Sequence, residues 1–528
     1  MLIVKGGLVV DGTGRPAERA DVVVSGDRIA DVVAPGAATG DFEEFDASGC
    51  LVTPGFIDAH AHSDAYLVVE PDAPSKLAQG VTTEVNGQCG GSVAPRFGEA
   101  RLSSDWASVL GERLTWRSMA EYRDTLAAAR PAVNTVQFVG HNTLRSSVVG
   151  YAGRAATPDE LKAMVCLLEQ SLDEGGWGLT TGLIYQPGKY STPDEVVALA
   201  KAAAAKGGLY ATHMRSEGDQ ILEAIDEVID LVKATGIRAE ISHLKTSGAR
   251  NWNKIDAVLE KIEDAVGEGL LLGSDRYPYC AAGTDLDIVL PDWAQEGAAK
   301  AECVRLADAA TRKRIEDEID ASGRDWSSVM IGGTWHDDNK QFSGKTVAEI
   351  LNHPTTQPPN HPTISPGALV CRILELDACR TGAFFFGMSE DNLAKIYSRP
   401  WIVPGSDASL RAPWGPLGAD HPHPRAYGTM PEFYRRVRTL GFSLEETVAR
   451  MTSVPARRFG ITGRGVIAKG AFADIAVWRE DEFRSTASYV EPHQFAAGVR
   501  CVIVNGTVPF IDGRFTGNRS GRFLERAR

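Results

Sequence analysis

Short runs of β-branched and apolar residues, bounded by Gly, Asp and Pro, open the chain in LIVKGGLVVDG, ADVVVSGDRIADVVA and CLVTPG. Such runs predict strands joined by tight turns. The same texture returns near the other end, in GVIAKGAFADIAVW and VRCVIVNGTVPFIDG. Two β-rich ends around a different middle predict one small β-sandwich built from residues 1–54 and 458–520, with the rest inserted in it.

Between them the period changes. Apolar segments of strand length (GFIDAH, GVTTEV, TVQFVGH, GWGLTTGLIY, GLYATHM, RAEISHL, GLLLGSDRYPY, AFFFGM and PWIVPGSD) alternate with amphipathic stretches such as GDQILEAIDEVIDLVKATG. That order predicts βαβ units and a parallel sheet. About eight repeats, without a GxGxxG or Walker-type loop in context, predict an α/β fold with a closed (β/α)8 TIM-like barrel over residues 55–457. Residues 290 to about 365 break the alternation: they are largely helical in pattern and end in the Pro-rich HPTTQPPNHPT. An insertion over the barrel mouth and an outer helix with a long surface loop are both open readings.

Composition narrows the function classes. A barrel takes about 250 residues or more, so 528 residues hold one barrel and a smaller unit. The net charge of −14 excludes an electrostatic nucleic-acid or anionic-membrane surface, which needs clustered Lys and Arg. No run approaches the roughly 20 apolar residues of a membrane helix, and the start reaches Gly6 too early for a signal peptide. Eight scattered Cys without a CxxC pair predict reduced thiols in a cytoplasmic protein. The expected partner is a small molecule, and the expected assembly a monomer or small homo-oligomer.

In a barrel, reactive groups converge where strands end and loops open on one face. The polar residues at the predicted strand ends are His60 and His62, Cys89, His141, His213, His243 and Asp407. His60 and His62 are two apart, so on an extended strand both imidazoles point to one side, a natural half-site for Zn2+. An HxH alone is a weak signal. His213 and His243 lie one βα unit apart and add weight, because their tips would stand on neighbouring strands. Asp407, in GSDAS, reads either as a carboxylate that takes a proton from water acidified by zinc or as a turn cap.

At this point a resemblance becomes specific. GFIDAHAHSD looks like the first metal-binding strand of the amidohydrolase superfamily, and His213, His243 and Asp407 match its later ligands in order. TTEVNGQCGGSVAP, GLIYQPGKYS, ATHMRSEGD, ISHLKTSG, DRYPYCAAGT, FGMSEDN and HPHPRAYGT resemble the D-aminoacylase (N-acyl-D-amino-acid deacylase) family nearly end to end. The resemblance implies zinc-dependent hydrolysis of N-acyl-D-amino acids. No Lys stands in GWGLTTGLIY, while Cys89 matches the family's cysteine ligand. Cys89, His213 and His243 are then the tight zinc site, and His60, His62 and Asp407 a weaker second position. Arg425, Lys245, Tyr190 and Tyr279 match positions around the substrate, with Arg425 the first choice for the α-carboxylate. Two plainer readings stand beside these: Arg425 paired with Asp420, and Tyr279 in the core. Asp407 is the implied base and His141 an oxyanion donor. IVLPDWAQEG carries no Lys or Arg, which points to neutral or hydrophobic D-side chains; Arg276 counts against this if it faces the substrate. A cyclic-amide hydrolase, a dipeptidase for C-terminal D-residues and a non-catalytic scaffold are the competing readings.

Overall fold

The computed structural model describes residues 1–353 and 364–526, so the Pro-rich stretch lies outside the described residues from 354 onward. Both chain ends meet in one nine-stranded sheet. Leu51–Pro54 pairs antiparallel with Ile475–Trp478, which joins the two ends. Its apolar side chains, among them Val4, Val22, Val52, Ile475, Val477 and Ile503, face one another across a separate core, as expected of the small sandwich.

The middle of the chain forms a parallel barrel. Its strands among the described residues are Phe56–Asp58, Val81–Asn86, Asn134–Gln137 running on into Val139–Gly140, Gly178–Gly182, Leu209–His213, Ala239–Ile241, Leu272–Arg276 and Ile402–Pro404. Closure comes where the last strand meets the first: the Ala59 N–H donates to the Pro404 carbonyl at 3.1 Å, and Ala61 bridges Ala408 in parallel. The outer helices start where the sequence supplies caps. Thr157 and Thr192 each accept the N–H three residues on, and Pro stands first in both helices, Pro158–Asp173 and Pro193–Ala205.

One segment departs from its expected place. AFFFGM has the continuous apolar character of a strand buried on both faces, yet Gly382–Phe386 is not in the barrel. It is the centre of a three-stranded antiparallel sheet with Ala281–Asp285 and Val329–Ile331. There Ala383 and Phe384 are buried while Phe386 is exposed. Helices Ala298–Ala307, Ala309–Ala321 and Pro366–Leu376 pack with this sheet around a core of their own. Between residues 290 and 353 the insertion is largely helical, as expected, with the one short strand Val329–Ile331; the other two strands of the sheet flank it.

Below the barrel mouth sits a buried ammonium. Lys76 Nζ donates to Asp58 Oδ2 (2.7 Å), Ser406 Oγ (3.1 Å) and the Ala408 carbonyl (3.1 Å), and lies 2.9 Å from Glu84 Oε1. It links the first two strands to the turn after the last one. Lys76→Met would leave two buried carboxylates without their cation, a change of about 3–5 kcal/mol. Denaturant unfolding of the variant is expected to show a loss in that range; a loss below about 1 kcal/mol would mean that the network contributes no more than a surface pair.

A second buried group makes the insertion pH-sensitive. Burial and the neighbouring Glu302 push Asp287 up to about 8; burial pushes Glu302 up to about 7 against the hydrogen bonds from Asp287 and Cys379 and the charge of Arg305. Glu302 Oε2 has no hydrogen-bond partner. Acids whose folded pKa lies above the unfolded value of about 4 bind protons more tightly when folded. Their contribution is complete below pH 4 and declines as pH rises through 7 to 8. Thermal melts are expected to show the wild type losing stability between pH 6 and 9, and Glu302→Gln losing distinctly less. Parallel curves for the two proteins would remove this pair as the cause.

Candidate functional site

The polar strand ends converge as the barrel pattern requires. Two donor groups form, His60 with His62, Cys89 and Asp407, and Cys89 with His213 and His243; within each, the candidate ligand atoms all lie within 4.8 Å of one another. Cys89 belongs to both. Its Sγ lies 3.3 Å from His60 Nε2 and 3.3 Å from His243 Nε2. The expectation of a tight site and a separate weaker one becomes two adjoining sites that share a thiolate. Burial alone would push the Cys89 thiol up, but His60 and His243 outweigh it and hold it well below its ordinary value, so the thiolate is the ligand form.

Carboxylates behind the imidazoles orient them. Asp275 Oδ2 stands 3.3 Å from His60 Nδ1, and Glu217 Oε1 is 3.0 Å from His243 Nδ1. Both leave Nε2 facing the donor cluster, the arrangement by which a backing acid fixes a ligating imidazole. Both ring nitrogens of His213 are buried without a hydrogen-bond partner. Orphaned imidazole beside a thiolate and two further His is a donor set that suits zinc in number and type.

Three of these side chains are aimed by unusual backbone. Cys89, His243 and Asp407 have φ of +53°, +38° and +50°, a region that non-glycine residues seldom occupy. The Asp407 turn is held on both sides by Lys76, through Ser406 and Ala408. Asp407 Oδ1 then reaches His62 Nε2 at 3.0 Å, while Oδ2 accepts from Arg425 at 2.7 Å. Burial raises the Asp407 carboxyl, but Arg425 and His243 prevail and hold it well below the usual carboxylate range.

Two cavities meet at the cluster. One of about 380 Å3 is lined by His62, Cys89, Arg425 and Phe384 among others. The other, about 750 Å3, is lined by His213, Lys245, Tyr277 and Ile288 among others. Asp407, Tyr185 and Thr284 line both. Walls of both come from the insertion strands Ala281–Asp285 and Gly382–Phe386.

The structure separates the remaining candidates. Lys245 sits at the site, its Nζ 2.7 Å from His243 Nδ1 and 2.5 Å from Glu217. Arg425 pairs with Asp407, whereas Asp420 is taken by Arg411. His141 is not brought to the cluster and lines neither cavity. Its Nε2 lies 2.9 Å from Glu195 on an outer helix, and Arg145 grips the same carboxylate. Tyr190 lies in the turn Gly188–Tyr190 against Gly153, away from both cavities. Tyr279 is half-buried with its ring 5.3 Å from His423 and lines neither cavity.

Two tyrosines that the sequence reading passed over occupy the walls instead. Tyr185 stands between the cavities with its ring 4.9 Å from His213. Tyr277 has three cations about its ring: Arg276 Cζ at 3.9 Å, Arg425 Cζ at 4.7 Å and Lys245 Nζ at 5.8 Å. Its buried hydroxyl has no partner. Burial raises the Tyr277 phenol, but these cations reverse that and lower it. Arg276 lies behind Tyr277, donating to the Tyr279 carbonyl at 2.8 Å, and lines neither cavity. The signal for Tyr277 was its place directly after the Leu272–Arg276 strand, two positions closer to the strand end than Tyr279.

The comparisons agree with this geometry. Residues 43–510 match the model of the amidohydrolase family. A D-aminoacylase of Alcaligenes xylosoxydans xylosoxydans is 34% identical over 99% of this chain and 97% of its own. A D-aminoacylase structure solved to examine the role of its binuclear metal centre is 33% identical, with a TM-score of 0.83 and 99% of each chain covered. An N-acyl-D-glutamate deacylase from Bordetella bronchiseptica, solved with zinc and a phosphonate mimic of the tetrahedral intermediate, is 32% identical over 99% of each chain, with a TM-score of 0.83.

Proposed function

Because this chain belongs to the amidohydrolase family, we propose that it is a zinc-dependent deacylase of N-acyl-D-amino acids, releasing a carboxylate and a free D-amino acid. The observation that carries the reading is the shared Cys89 thiolate beside a carboxylate receptor of Lys245, Arg425 and Tyr277. A hydantoin has no free α-carboxylate for this receptor, and the Gly178–Gly182 strand offers no Lys to bridge metals. No helix among the described residues is long and apolar enough to cross a membrane.

Zinc, held by Cys89, His213 and His243 with a second position at His60, His62 and Asp407, would polarise the amide carbonyl and acidify water toward a pKa of about 7. The other steps belong to the chain's own residues. Arg425, Lys245 and the Tyr277 hydroxyl hold the α-carboxylate. Asp407, which lines both cavities, takes the proton from the attacking water and returns it to the leaving nitrogen. The Tyr185 hydroxyl is placed to donate to the carbonyl oxygen as it gains charge.

Neutral or hydrophobic side chains are the preferred substrates on this reading. The larger cavity has Ile288, Phe385 and Phe386 in its wall. Its arginines Arg215 and Arg250 are already bound by Glu227 and Asp219, and Arg324 stands with its Cζ 5.8 Å from the centroid of the Trp326 ring. The same reading divides the chain into a β domain (1–54 and 458–520) and a catalytic barrel (55–457) with an insertion near 290–365. Eight cysteines without disulfides support a cytoplasmic location, and the net charge of −14 speaks against a nucleic-acid or anionic-membrane partner.

A screen of N-acetyl-D- and L-amino acids with zinc-loaded enzyme tests the function. N-acetyl-D-leucine and D-phenylalanine derivatives should exceed N-acetyl-D-glutamate by about tenfold or more in kcat/KM. Activity confined to L-substrates or to hydantoins would overturn the reading. For the base, Asp407→Asn is expected to lose about 10²–10⁴-fold in kcat while the Cys89 site keeps its zinc by elemental analysis. Near-normal turnover in that variant would remove Asp407 from the role.

A further inference from the structure

The smaller cavity ends in a cation that the proposed reaction does not use. Arg380 lines it from the insertion. Its guanidinium lies over the Trp335 ring, with Cζ 5.0 Å from the centroid. Its Nε donates to the Asp377 carbonyl at 3.1 Å, and Trp335 Nε1 donates to the Arg380 carbonyl at 3.0 Å. The nearby Asp377 carboxylate is occupied elsewhere. One oxygen accepts the N–H groups of Trp335 (3.2 Å) and His336 (2.7 Å), and the other accepts the Thr381 hydroxyl at 2.7 Å.

Of the three other arginines of this cavity, Arg425 and Arg411 are matched by Asp407 and Asp420 at 2.7 and 3.1 Å, and Arg101 stands with its Cζ 5.6 Å from the centroid of the Tyr151 ring. Arg380 makes no ion pair among the described residues, and its two terminal nitrogens make no hydrogen bond there. A planar guanidinium fixed through Nε and by an aromatic face is pre-organised for a carboxylate, because little side-chain freedom remains to be lost on binding.

The position assigns the ligand. Lys245 and Tyr277 line the larger cavity, and Arg425, which lines the smaller one, pairs with Asp407 where the two meet, so the amino-acid half of a substrate lies on the larger side. The acyl half extends the opposite way, past His62 and Cys89, between Leu102, Trp106, Trp335 and Phe384. These walls suit methylenes, and Arg380 stands among them.

Resting on the deacylase reading above, we propose that Arg380, stacked on Trp335, receives a carboxylate at the far end of the acyl group. The enzyme then accepts dicarboxylic monoacyl groups of the succinyl type. The reaction balances as simple hydrolysis. Water adds to the acyl carbon, the C–N bond breaks, the nitrogen takes a proton and leaves with the D-amino acid, and the acyl half leaves as a dicarboxylate.

The test compares N-succinyl-, N-succinamoyl- and N-acetyl-D-leucine on the zinc-loaded enzyme and on Arg380→Met, with Arg380→Lys as the conservative variant. The succinyl substrate should exceed both neutral ones by about tenfold in kcat/KM, chiefly through KM. In Arg380→Met the succinyl-to-acetyl ratio should fall by about the same factor, and Arg380→Lys should restore part of it. Equal rates for succinyl and succinamoyl substrates overturn the subsite while leaving the deacylase intact. So does an Arg380→Met defect that falls on N-acetyl-D-glutamate instead, since that places the cation on the amino-acid side. No turnover of any of the three overturns the deacylase reading and the subsite together.

Discussion

Closing a barrel brings its first and last strands together with no chain connection to fix their register, and here one buried ammonium does that work. Lys76 touches Asp58 on the first strand, Glu84 on the second, and Ser406 and Ala408 on either side of Asp407. Its charge is matched by two carboxylates within the first two strands, which offsets the cost of burying it. A sheet opened at this seam would keep those ion pairs but lose the ammonium's bonds to Ser406 and Ala408. The same contacts that shut the barrel therefore also aim Asp407.

That aim needs backbone that an ordinary sequence avoids. Left-handed φ at Cys89, His243 and Asp407 costs on the order of 1–3 kcal/mol each, and persists because the surroundings leave no alternative. The Asp407 N–H donates to the His60 carbonyl at 2.8 Å and the His243 N–H to Asp275 at 3.0 Å. Asp275 thus serves two ligands at once, since its other oxygen backs the His60 ring. Strain at three points and one carboxylate serving two imidazoles are the signs of a site held in place before anything binds.

The candidate metal ligands were legible because barrel topology turns spacing into position. A polar residue at a strand end has one place to go, and the His60–His62 pair and the interval from His213 to His243 followed that rule. The substrate side was less legible, because after a strand ends the chain is free to turn. His141 begins a helix, and its ring swings outward to Glu195. Tyr279 and Tyr277 are two positions apart, yet only Tyr277 faces the cavity, since Arg276 and Arg425 enclose its ring. AFFFGM failed for a related reason: composition identified a strand, but only pairing reveals which sheet receives it.

Charge pairing explains how a chain with a net charge of −14 keeps a receptor for an anion. Around the cluster, cations and acids alternate: Glu217 with Lys245, Asp407 with Arg425, Asp420 with Arg411. Each pair is compact and lies inside the mouth, so the surface excess reaches it weakly through solvent. An arriving carboxylate does not meet a bare cation. It meets pairs in which Arg425 and Lys245 already have partners, and it can bind only by sharing or displacing Asp407 and Glu217. Affinity is reduced by that competition, and selectivity is gained from it, because a substrate that reaches only one of the two cations recovers too little to separate them from their acids.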